Sequence, residues 1–150
     1  MSERCQNIYK TARRAAGITQ EQAAERLGIS VESLRAYENG YRLPPCGAVV
    51  MMTTCYNAQY LAYQHLQQSN DLAALLVPPL EQRSLIELAI RIYNRMNSFQ
   101  AGDGLGRLMA IAEDGSISEG EKAEFDAILS DIKEIVRTGL ELDVFFGSGD

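Results

Sequence analysis

Apolar residues recur at helical spacing along the whole chain, and no stretch alternates with the two-residue period of a strand. The chain therefore reads as all-α. A first helix is expected over residues 3–16, with Ile8, Ala12 and Ala15 inward and Gly17 as its stop. Thr19 then caps a second helix, and Gln22 three residues on completes a capping box. Ala23, Ala24 and Leu27 line one face of that helix, which is about two turns long, before Gly28 ends it. Ile29 packs the turn, and Ser30 caps a third helix whose inward positions are Leu34 and Tyr37. Asn39-Gly40 stops it, and Pro44-Pro45 blocks any continuation.

Beyond the prolines the pattern predicts a fourth helix over 48–56, through Val49, Val50 and Met52, and a fifth over 58–67 with Leu61, Ala62 and Leu66 inward. Asn57 caps between them. A short helical piece at 71–76 precedes a break at Pro78-Pro79. A long helix follows over 81–97, with Leu85, Leu88, Ala89, Ile92 and Met96 on one face and Ile86, Ile90 and Tyr93 on a second flank. That apolar band is wider than packing on one neighbour requires. Residues 100–106 read as loop, 105–112 as a short helix, and 119–138 as a long one. Ser118 with Glu121 forms the capping box of the long helix, and Phe125, Ile128, Leu129, Ile132, Ile135 and Val136 its apolar face. Val144, Phe145 and Phe146 form an aromatic tail, docked on this half or used between subunits. The division this suggests is residues 1–68, a linker with a short helix at 69–80, and a second helical domain at 81–150 that is a candidate for dimerisation.

Two short helices at the separation of 20–27 and 31–38 match the helix-turn-helix that seats a helix in a DNA major groove. The residues themselves add to this. Thr19-Gln20-Glu21, Ala24 to Ser30, Leu34, Tyr37-Glu38-Asn39-Gly40, Arg42 and Pro44 resemble the DNA-binding domain of phage Cro and repressor proteins, shared by bacterial regulators of the XRE group. The resemblance runs from about Ile8 to Leu66. It implies a five-helix, lambda-repressor-like N-terminal domain, double-stranded DNA as partner and operator occupancy as the mechanism. A homodimer on a palindromic site is expected, because one such domain contacts few bases. The chain departs from the family at Ala23, where a larger aliphatic is usual, at Tyr41, where a basic or polar residue is usual, and at Val31 and Glu32 among the reading positions.

The candidate DNA contacts follow. Gln20 starts the second helix, where its N–H faces a phosphate and its amide either bonds one or braces the reading helix. Ser30, Val31, Glu32, Ser33, Arg35 and Ala36 lie on the approach face of the third helix. Val31 suits a thymine methyl, Glu32 a cytosine amino group and Arg35 a guanine or phosphate. Asn39, Tyr41 and Arg42 follow in the loop, with Arg42 the strongest phosphate candidate, and Lys10 and Arg14 add charge from the first helix. The resemblance assigns Arg13 and Glu38 a structural role, as a pair tying the first helix to the third.

Charge initially argues against DNA. The 150 residues carry a net charge of −6. The charge is unevenly spread, however: residues 1–68 hold seven basic and five acidic side chains, net +2, and residues 69–150 hold seven and fifteen, net −8. Phosphate attraction depends on the field within about 8 Å at physiological salt, so an acidic second half is compatible with DNA binding when it points away. No segment has the length or apolarity of a membrane span, and the N-terminus is too polar for a signal peptide, so the expected compartment is the cytoplasm. Cys5, Cys46 and Cys55 lack ligand spacing and read as free thiols packed like small apolar groups.

No enzymatic constellation emerges. His65 is the only histidine and has no ligand-spaced partner, and Gly102, Gly104 and Gly106 follow no strand. Residues 113–121 resemble part of a calcium loop, but two ligand positions would fall on Ala110 and Ala112, which lack side-chain oxygens. No metal, cofactor or catalytic residue is therefore expected. The competing reading is a protein-interaction or antitoxin-like module whose helix-turn-helix has lost DNA reading, favoured by the poor hydrogen-bonding capacity of Val31, Glu32 and Ala36.

Overall fold

A computed structural model describes residues 7–147. The described residues are all-α, with nine α-helices and no strand. In order they are α1 (Ile8–Ala15), α2 (Gln20–Leu27), α3 (Val31–Glu38), α4 (Cys46–Tyr56), α5 (Gln59–Ser69), α6 (Asp71–Leu76), α7 (Leu85–Ala101), α8 (Gly104–Ile111) and α9 (Lys122–Phe146). They divide into two compact units, one ending at Pro79 and the other beginning at Leu80.

The first unit is built around Leu34 and Met52, both fully buried, with Ala23, Leu27, Tyr37, Val49 and Leu61 beside them. Helix α1 starts at Ile8, later than the pattern suggested. Asn7 leaves the helical region, and its side chain accepts hydrogen bonds from the Tyr9 and Lys10 N–H groups, so it is a cap. The earlier residues of that expected helix lie outside the described residues, as does Cys5. Three inward assignments change. Ala15, Val50 and Leu66 are exposed, while Tyr9, Arg13 and His65 are buried. His65 is only 3% exposed, and the Tyr9 hydroxyl lies 2.8 Å from its Nδ1. Cys46 is exposed at the start of α4, contrary to the expectation of a packed thiol, and Cys55 is half-buried. Helix α6 packs on α5 and belongs to the first unit.

In the second unit α7 and α9 pack along each other, and Leu88 on α7 and Ile128 on α9 are buried. Helix α7 begins at Leu85, because Ser84 and Glu87 form a complete capping box there. It runs on to Ala101, so most of the expected loop at 100–106 is helical. Gly104 makes this possible, since a side chain there would occupy the space filled by the Phe99 ring. Helix α9 starts at Lys122. Glu121 reaches back to the Ser118 N–H at 2.9 Å, but the Glu121 N–H bonds the Ser118 carbonyl at 3.1 Å and not its hydroxyl, so only half of the expected box forms. The helix then continues past residue 138 through Phe146, taking the aromatic tail into its last turn.

Candidate nucleic-acid interface

The presentation of α3 begins with two caps. Thr19 accepts from the Gln22 N–H at 3.2 Å, and Gln22 returns a bond to the Thr19 N–H at 3.1 Å. Ser30 accepts from the Ser33 N–H at 3.1 Å, and its hydroxyl donates to the Ser33 hydroxyl. Between them Gly28 turns with φ of 64°, the left-handed conformation that glycine adopts without steric cost. The Ile29 N–H returns to the Ala24 carbonyl at 3.0 Å and closes the turn.

Helix α3 is anchored by its buried side. Leu34 and Ala23 are fully buried between the two helices. Glu38, 2% exposed, meets Arg13 in a two-pronged pair, with Nε to Oε1 at 2.5 Å and Nη2 to Oε2 at 2.9 Å. The third guanidinium nitrogen of Arg13 donates to the Ile18 carbonyl at 2.7 Å. Burial pushes the Glu38 carboxyl up, but hydrogen bonds from Arg13 and Gln20 and the Arg13 charge outweigh it and hold the group below its ordinary range. The nearby Tyr56 hydroxyl is buried without a hydrogen-bond partner; burial and the Glu38 charge push it up to about 12, so it stays protonated. Asn7 adds a further tie, donating to the Tyr37 carbonyl at 2.7 Å.

The opposite side of the segment is open. Ser30, Glu32, Arg35, Asn39, Tyr41 and Arg42 are exposed, and Tyr41 reaches 84%. Ser33 and Ala36 are half-exposed, while Val31 is half-buried and packs partly against the core. The structure brings two sets together. Arg35 donates from Nε to the Gln20 side-chain oxygen at 3.3 Å, and Gln20 donates its amide to Glu38 at 2.7 Å. Arg42 stacks 4.9 Å over the Tyr37 ring and donates to the Tyr37 hydroxyl at 3.2 Å. Sequence reasoning missed that supporting role of Tyr37, and of Asn7. Spacing alone places Tyr37 wholly in the core. The signal for Asn7 was present, since an asparagine immediately before an apolar helical run is a cap.

No described helix is long and apolar enough to cross a membrane, and no three metal-capable side chains cluster among the described residues. No curated protein and no solved structure matches the chain. Residues 10–45 match a family model described as helix-turn-helix. That stretch carries both capped helices, the buried Arg13–Glu38 pair and the loop through Pro44, and it is a helix-turn-helix of the XRE type, the hallmark of a family of DNA-binding regulators.

Proposed function

We propose that the protein is a sequence-specific transcriptional regulator that acts by occupying an operator as a homodimer. The observation that carries this reading is the two-sided character of α3: one side is locked by Leu34, Tyr37 and the Arg13–Glu38 pair, and the other offers Glu32, Arg35 and the Arg42 loop to solvent. A helix held this firmly enters a groove as a rigid unit. Ser30, Val31, Glu32, Ser33, Arg35 and Ala36 face base edges, and the backbone N–H of Gln20, with Asn39, Tyr41 and Arg42, lies along the phosphates. Serine hydroxyls already engaged in the cap contribute shape more than reading, so Glu32 and Arg35 carry most of the hydrogen-bonding capacity. The expected compartment is the cytoplasm.

Dimerisation is assigned to the second unit. Ile86, Ile90 and Tyr93 follow one another at i, i+4 and i+7 on α7 and are all exposed, Ile86 at 69% and Tyr93 at 67%. A contiguous apolar stripe of this kind is unusual on an isolated soluble chain.

Selection of DNA from a random library tests the reading. Enriched sites are expected to carry two related half-sites spaced by about one helical turn, 10–10.5 base pairs. Binding should weaken steeply with salt, and Arg42→Ala should lower the salt slope by roughly one. A library that returns no enriched sequence would instead favour an interaction module, a reading to which the half-buried Val31 and the acidic Glu32 lend weight.

A further inference from the structure

Gln20 sits between a buried charge and an exposed one, and its amide is committed at both ends. Nε2 donates to Glu38 Oε2 at 2.7 Å, and Oε1 accepts from Arg35 Nε at 3.3 Å. The carboxylate dictates this orientation. Glu38 is already gripped by Arg13 and accepts only, so the amide nitrogen must face it and the amide oxygen must face outward. An outward-facing acceptor at this point selects a donor from α3, and Arg35 supplies it. The consequence lies in which part of Arg35 remains unused. With Nε–H held by Gln20, the two terminal nitrogens make up the outer edge of the guanidinium, without a hydrogen bond to any described residue. One of them has Glu21 at 3.8 Å, an ion pair across a side chain that is 55% exposed.

We propose that Gln20 is a positioning residue that fixes Arg35 so that its terminal fork reads a guanine in each half-site. The proposal rests on the DNA-reading function above and deepens it by naming the base. The chemistry matches: two parallel N–H donors meet the O6 and N7 acceptors that guanine alone pairs in the major groove. Glu38 thereby serves two tasks, anchoring α3 to α1 and setting the polarity of the amide that aims Arg35. Gln20 acts on DNA specificity through Arg35 and not as a side-chain ligand of phosphate.

The test combines random-library selection with titrations of a preferred site and an unrelated duplex over a range of salt. The proteins are the parent, Gln20→Met, Arg35→Lys and Arg35→Ala. The parent is expected to require one guanine per half-site. Arg35→Ala and Arg35→Lys should both lose it, since lysine keeps the charge but lacks the planar fork. Gln20→Met should reduce preference for that guanine about tenfold while shifting the salt slope by less than one phosphate. A thermal melt of each variant checks the fold, and Gln20→Ala, which also removes the acceptor for Arg35, takes the place of Gln20→Met if that variant unfolds. If Gln20→Met weakens every sequence equally and lowers the salt slope by about one, Gln20 is a phosphate ligand and the proposal is overturned. Retention of the same guanine by Arg35→Ala overturns it as well. A parent that enriches no sequence removes the DNA-reading function itself, and this inference with it.

Discussion

Glu38 receives three hydrogen bonds from two side chains at a site closed to solvent, so its removal strands the Arg13 guanidinium. Glu38→Ala is expected to cost about 3–5 kcal/mol, read as a lower melting temperature. A melt matching the parent would refute a structural role for the pair. Acid should act at two residues in succession. Burial pushes the His65 imidazole below 6.5, so the unfolded chain takes up that proton first and stability falls as the pH drops through 6.5. Glu38 follows lower down: its folded carboxyl lies below the ordinary range, so its contribution is complete above about 4.3 and is lost as the pH falls through the folded value. His65→Gln should remove the first step, flattening the melting temperature between pH 8 and 5.5 while leaving the second. Legibility at this scale was uneven. Leu34 and Tyr37 follow from spacing alone, and the Arg13–Glu38 roles came through the family resemblance. The burial of His65 was not readable, because its partner Tyr9 lies 56 residues away and the neighbouring Leu66 is the more apolar choice. A rotation of one residue, about 100°, exchanges the two.

The helices themselves were legible where caps and apolar stripes coincide, as at Thr19, Ser30 and Gly28. They were misplaced where those signals separate. At α7 the acidic Glu81 drew the start forward, although Ser84-x-x-Glu87 is itself a capping box. Glu81 instead directs its N–H to the buried Glu141 carboxylate at 3.0 Å. Ser84→Ala is expected to cost about 1 kcal/mol of stability, measured by denaturant titration, because it leaves the Glu87 N–H without its side-chain acceptor. No loss would show that solvent caps α7 equally well. At α9 the later turns bury Thr138 and Glu141, both polar, while the apolar Leu140, Leu142 and Val144 are only half-buried, so the deepest positions of the continuation are not the apolar ones. Thr138 turns its hydroxyl to the Glu134 carbonyl at 2.9 Å, and Arg137 lies 3.4 Å from Glu141. A polar seam of this kind is invisible to hydrophobic periodicity.

For the whole molecule the question is how a chain of net charge −6 holds DNA. The net charge of +2 over residues 1–68 is small, so a single α3 with Arg42 supplies few phosphate contacts. Counterion release contributes a salt slope of about 0.9 per neutralised phosphate, and a single copy gains little from it. Two linked copies change the outcome, because engagement of the first half-site raises the effective concentration of the second reading helix. Dimerisation through α7 is thus the proposed source of affinity, and the exposed stripe allows it to be tested separately from the fold. Ile90 is 55% exposed in a single copy, so Ile90→Glu should keep the helical content of the parent, read by circular dichroism, and lower the melting temperature only by what association contributes. Sedimentation should show the parent as a dimer and Ile90→Glu as a monomer. The variant should lose affinity for DNA carrying both half-sites far more than for DNA carrying one. Equal losses on both would place Ile90 outside any dimer contact relevant to binding, and a monomeric parent with full affinity would mean that one copy of α3 suffices.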